Sequence, residues 1–184
     1  TRSTPGRKTR SPPRRSVAPI ADAQRSAMGT DFAFMNPGGI RADIHAGAVT
    51  RGALFGVQPF NNDLVRLDLS GAQIVTLLNQ QWLGQPYPRI LKVSGLTYVW
   101  DFARPAGDRI VELRTAAGQP IAATTLYSVT VNSFLAAGGD NFTVLAQGAH
   151  PVVGPVDLDA LIKYIDALPQ PFNYAMDGRI QRSN

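Results

Sequence analysis

Strand-length apolar runs follow one another along this chain without strict alternation with helices, and that order most narrows the folds open to it. "DFAFMN" reads as a buried strand ended by Pro37-Gly38-Gly39. "DLVRLDLSG", "ILKVSGLTYVWD", "RIVELRT" and "TLYSVTVNSFL" are further strand candidates, rich in Val, Ile, Thr and Tyr. "GRIQRS" adds a last short one. Helical spacing is confined to a few segments. "PIADAQRSAMG" has Pro19 for its first turn and Gly29 for its stop. A short helix is expected around Arg51 to Phe55. "SGAQIVTLLNQQW" places Ile74, Leu77, Leu78 and Trp82 on one face behind a Ser70 cap. "DLDALIKYIDAL" is amphipathic through Leu158, Leu161, Ile162, Ile165 and Leu168, with Asp157 as its cap. Hairpin-like connections between strands predict an α+β fold, a mixed β-sheet packed with helices.

Charge divides the chain. Residues 1–15 hold Arg2, Arg7, Lys8, Arg10, Arg14 and Arg15 and no acid; removing those 6 from 18 basic residues leaves 12 against 13 acidic. The formal charge of +5 therefore belongs to the leader. A near-neutral body gives no electrostatic support for nucleic-acid binding. Residues 1–18 are too poor in large apolar side chains to offset their ordering entropy, and we expect a disordered, basic, Pro-rich leader ahead of one domain over 19–184. No apolar run approaches the length of a membrane span, and no secretory signal pattern is read at the start. Cysteine is absent, which excludes disulfides and thiolate chemistry. His45 and His150 stand outside any ligand pattern.

Four loops hold residue types suited to a ligand. Asn36-Pro37-Gly38-Gly39-Ile40-Arg41 joins a bare backbone to an amide and a guanidinium fork. A plain turn with a surface arginine accounts for it equally from the residues alone. In "QPFNNDLV", Phe60 stands beside Asn61 and Asn62, as a stacking face or as core. "NSFLAAGGDNF" closes a strand with Phe134, makes a side-chain-free turn and presents Asp140, whose two acceptor oxygens suit a vicinal diol or a capped turn. Gly95 inside "KVSGLTY" reads as a bulge or a close backbone approach.

Taken in order, "FAFMNPGGIRADI", "VQPFNNDLVRLDLSGAQIVTLLNQQW", "LKVSGLTYVWD" and "VTVNSFLAAGGDNF" resemble the C-terminal domain of the 5′-nucleotidase family, over about residues 20–182. That family includes bacterial UDP-sugar hydrolases and animal ecto-5′-nucleotidase. The resemblance implies a domain that binds the nucleoside part of a nucleoside 5′-phosphate or related nucleotide. It places the base between Phe60 and Phe134 and the ribose on Asp140. Asn36, Gly39 and Arg41 fall in the family's glycine loop, with the arginine toward the phosphate or ribose side. Asn62 and Gly95 match positions that meet the base edge. The family usually has Gly-Asn or Gly-Gly after the first phenylalanine, where this chain has Asn61-Asn62. Its usual upstream arginine and Glu-Ser-x-Leu-Gly-Asn-Leu stretch are replaced here by "PPRRSVAP".

In that family two divalent metals, held in an N-terminal metallophosphoesterase domain, activate the attacking water. This chain shows no Asp-x-His and no Gly-Asn-His-Glu, so no cofactor and no hydrolysis are expected of it alone. The resemblance implies the metallophosphoesterase domain as partner and a secreted, periplasmic or cell-surface location. The alternative is an orphaned, non-catalytic nucleotide-binding or interaction module.

Overall fold

The computed structural model describes residues 18–44, 47–172 and 178–183. His45 and the expected leader up to Val17 lie outside them. The fold is α+β, with two mixed sheets and helices against them. The larger sheet contains β1 (Phe32–Met35), β2 (Asp63–Ser70), β3 (Lys92–Ser94), β6 (Leu126–Asn132) and β7 (Ala149–Val156), in the order β3-β1-β6-β2-β7. The smaller contains β4 (Leu96–Trp100), β5 (Ile110–Thr115) and β8 (Ile180–Arg182), in the order β5-β4-β8.

β1 alternates sides, and each side feeds a different core. Phe32 and Phe34 join Leu67, Leu69, Ile74, Leu77, Leu78 and Phe142 in one buried cluster. Met35 joins Ile20, Leu54, Leu158, Leu161 and Ile165 in another. The first cluster is closed by α3 (Gly71–Asn79), the second by α1 (Ala18–Met28), α2 (Arg51–Val57) and α5 (Asp157–Ala167). Burial on both faces explains why "FAFM" carries no polar residue.

Ser70 caps α3 as expected. Its Oγ accepts from Gln73 N at 3.2 Å, and Gln73 Oε1 accepts from Ser70 N at 2.9 Å. The first and last elements are tied by Arg179, which donates to both carboxylate oxygens of Asp22 at 2.6 and 2.9 Å and to Val93 O at 3.0 Å.

Strand direction decides which loops meet. β1 and β6 run parallel, so both end at one edge of the sheet. β2 runs antiparallel to β6 and therefore starts there, with Leu64 opposite Asn132. β7 ends there too, with Val156 opposite Asp63.

Several expectations are corrected. "ILKVSGLTYVWD" is two strands, not one. Gly95 turns the chain from β3 in the larger sheet to β4 in the smaller. α3 ends at Asn79, and Trp82 follows in a turn, stacked on Trp100 at 4.9 Å. The N-cap of α5 is Val156; Asp157 is the first helical residue and is buried. β7 went unrecognised because it contains Pro151, Gly154 and Pro155, which an edge strand tolerates.

Gly95 has φ +83°, and a Cβ there would lie 2.1 Å from Asp31 O. Gly95→Ala should lower the unfolding free energy by at least about 2 kcal/mol, measured by urea denaturation.

Candidate functional site

Asn36 leaves the carboxyl end of β1, and Asn132 is the last residue of β6. Both are buried, so their amides need partners. Asn132 Nδ2 donates to Asn36 Oδ1 at 3.1 Å. Asn36 Nδ2 in turn donates to Asp140 Oδ2 at 2.7 Å. Asn132 Oδ1 accepts from Leu135 N at 2.8 Å and so caps α4 (Ser133–Ala136), the short helix that carries Phe134. One relay of amides thus fixes both the aromatic ring and the carboxylate relative to the strand ends.

The glycines before Asp140 make that geometry possible. Gly138 has φ +84°. A Cβ on Gly139 would fall 2.6 Å from the Phe134 ring. Asp140 itself has φ 54°, a conformation Asp tolerates better than most residues. Its Oδ1 faces Arg89 Nε at 3.6 Å, and its carbonyl accepts from Gln85 Nε2 at 2.7 Å.

Phe60 and Phe134 are 55% and 47% exposed, which excludes the core reading of Phe60 and leaves both rings open to solvent. They line one cavity of about 340 Å³ together with Asn36, Gly38, Gly39, Asn62, Asn132 and Asp140. That volume is at the lower end of small-molecule sites, which run from about 300 to 1,000 Å³. Rings at half exposure beside amides and a carboxylate provide a stacking face with polar groups at its rim. Asn61 has φ 50°, a left-handed backbone that asparagine tolerates better than most side chains.

Of the residues singled out in the sequence, Asn36, Gly39, Phe60, Asn62, Phe134 and Asp140 are brought together in this cavity. Arg41 lies in an adjoining recess with Pro37, Ile40, Asp43 and Lys92; its Nη1 donates to Gly38 O at 3.3 Å, which joins the two recesses. Gly95 is not at the site. β3 runs antiparallel to β1, so its end lies at the opposite edge of the sheet, where Gly95 packs against Asp31 and Phe32. The close approach it permits is to backbone, not to a ligand.

Asn132 and Arg89 were missed. Asn132 had a signal, since Asn ahead of "SFL" fits a helix cap. Arg89 had none, because its approach to Asp140 spans unrelated segments.

His150 pairs with Asp68 at 3.0 Å and is exposed. Among the described residues, no group of three or more His, Cys, Asp or Glu side chains is placed to hold a metal ion. None of the described helices is long and apolar enough to cross a membrane.

A cleft at the carboxyl ends of parallel strands, rimmed by two open phenylalanines and a braced aspartate, is the candidate site of this domain. The chain belongs to the family of the 5′-nucleotidase C-terminal domain, whose model matches residues 3–147. Endonuclease YhcR of Bacillus subtilis (strain 168) is 38% identical over 164 residues, which is 88% of this chain and 13% of that protein. Cell wall protein Lmo0130 of Listeria monocytogenes is 34% identical over 160 residues, 79% of this chain and 20% of that one. The crystal structure of a 5′-nucleotidase precursor from Thermus thermophilus matches with TM-score 0.82 and 38% identity, covering 91% of this chain and 35% of that one. The chain therefore spans between 13% and 35% of the length of these proteins.

One carboxyl beside the cavity is perturbed. Burial pushes Asp157 up to about 6, against hydrogen bonds from Leu158 N–H and the Asn62 side chain, with the Asp63 charge adding to the rise. The folded state then holds this proton where the unfolded chain releases it, so ionising Asp157 costs stability as pH rises from about 4 to about 6. Between pH 4 and pH 7, Asp157→Asn should gain about 2–3 kcal/mol relative to wild type, read by denaturant unfolding at both pH values.

Proposed function

We propose that this chain is the nucleoside-binding half of a 5′-nucleotidase-type phosphohydrolase. The base stacks between Phe60 and Phe134, and Asp140 accepts the ribose hydroxyls. Asn36 holds that carboxylate in place, and Asn62 meets the base edge. Arg41, in the recess next to Gly38, takes the phosphate side, where a guanidinium fork suits anionic oxygens. The observation that carries the reading is that two half-exposed phenylalanines and Asp140 line one cavity.

Stacking and hydrogen bonding at this site do not break a phosphoester bond. They hold the nucleotide so that its phosphate reaches a second domain, an orientation effect. Two divalent metals in an N-terminal metallophosphoesterase domain would supply the activated water. The chain's part is to bind, orient and release a nucleoside 5′-phosphate or related nucleotide in nucleotide breakdown. A secreted, periplasmic or cell-surface location is supported by the relative named as a cell wall protein.

Adenosine and AMP should bind the chain, measured by titration calorimetry. Phe60→Ala and Phe134→Ala should each weaken binding by about 5- to 100-fold, the worth of one base–aromatic contact. Unchanged affinity in both variants would remove the stacking model. Incubated alone with AMP and Mn²⁺, the chain should release no phosphate; sustained release would refute the division of labour between domains.

A further inference from the structure

A turn that does not line the cavity grips Asp140 from behind. Gln80 Nε2 donates to Thr143 Oγ1 at 2.8 Å, and Gly84 O accepts from Asn141 Nδ2 at 3.0 Å. Between these, Gln85 Nε2 donates to the Asp140 carbonyl at 2.7 Å, and Arg89 Nε stands 3.6 Å from Asp140 Oδ1. The Gln85 amide has one orientation, because its NH2 also donates to Gln80 O at 3.0 Å and its oxygen accepts from Arg89 Nη1. Arg89 Nη2 donates to Tyr87 Oη at 3.4 Å, and the guanidinium carbon lies 4.8 Å from the Tyr87 ring centroid. The cation is therefore fixed before any ligand arrives.

The two ends of the Asp140 carboxylate are held in different ways. Asn36 Nδ2 takes one lone pair of Oδ2 at 2.7 Å. Arg89 is too far from Oδ1 for a hydrogen bond, so it attracts the charge without occupying a lone pair. The Arg89 and Asp140 side chains are 20% and 18% exposed, where salt screens a pair less than on an open surface. The carboxylate keeps acceptor capacity for hydroxyls while its position is set from outside the cavity. We infer that Arg89, held by Gln85 and Tyr87, is a positioning residue for Asp140, so that the turn over residues 80–89 sets how strongly the site selects a sugar with vicinal hydroxyls over one without them. This rests on the reading of the cavity as a nucleoside site and adds the element that tunes its choice of sugar.

Adenosine and 2′,3′-dideoxyadenosine test this, since they share the base and differ by the two sugar hydroxyls. Dissociation constants for both are measured by calorimetry at pH 7.5 on the wild-type chain, Arg89→Met, Asp140→Ala and the double variant. Wild type should prefer adenosine by about 10- to 100-fold, the worth of one hydrogen bond to a charged acceptor. Arg89→Met keeps the stem and removes the cation, and the preference should fall by about 5-fold or more. Asp140→Ala should abolish the preference. Adding Arg89→Met to it should then change neither affinity by more than about 2-fold, because Arg89 acts through Asp140. If Arg89→Met does not fold by circular dichroism, Gln85→Ala replaces it, because it frees the same guanidinium and the same loss is expected. A purely structural Arg89 would lower the melting temperature or weaken both nucleosides together and leave their ratio intact. An intact ratio in the folded variant, or a further loss when Arg89→Met is added to Asp140→Ala, overturns the inference while the stacking reading stands. No preference in wild type overturns the inference together with the placing of the ribose on Asp140. If neither nucleoside binds, the whole reading falls.

Discussion

The parallel pairing of β1 with β6 is the constraint from which the site follows. Parallel neighbours end at the same edge, so the Asn36 turn and the Asn132–Asp140 segment are delivered side by side although 96 residues separate the two asparagines. The Asn132–Asn36–Asp140 relay then converts strand registry into side-chain placement. Both buried asparagines spend their polar groups inside the relay, so breaking one link strands a polar atom in the core at a cost of about 1–3 kcal/mol. Rigidity of this kind is what a recognition site needs, since a ligand then meets groups already in place.

The same edge collects two more elements for the same reason. β2 starts and β7 ends there, which brings the Phe60–Asn62 loop beside α4 and sets Asp157 behind Asn62. The proposed cleft therefore has a stacking wall from one loop and the short helix α4, and a polar floor from two strand ends. Backbones in left-handed conformations sit at its rim, at Asn61, Gly138, Asp140 and Asn141. Gly, Asn and Asp at those positions accept this conformation more readily than other residues, so turn chemistry and ligand chemistry coincide.

The relatives are several times longer than this chain, which leaves room for the division of labour proposed above. Under that reading the body's near-neutral charge is also sensible. Base stacking and ribose hydrogen bonds need no net field, and the cationic demand of a phosphate falls on Arg41 and on groups outside the chain.

Local pattern determined much of this protein in advance. The α+β class, the spans of β1 and β2, the start of α3 with its Ser70 cap and the residue types at the cleft all follow from short-range periodicity and turn chemistry, which act within a few residues. Six of the eight residues singled out for the site line one cavity. Gly95 shows the limit of such reading. A positive-φ glycine inside an apolar run signals a close approach, but only strand direction tells whether a ligand or backbone makes it, and β3 points away from the site. β7 was hidden because its prolines offset its valines until an edge position in the sheet made them tolerable. Arg89 was invisible, and Asp157 was legible only as a helix-start residue, because nothing nearby in sequence marks what they meet. Their partners, Asp140 and Asn62, arrive from other segments only when the sheet is assembled. Residue chemistry is written along the chain, whereas proximity is set by which strands pair and in which direction.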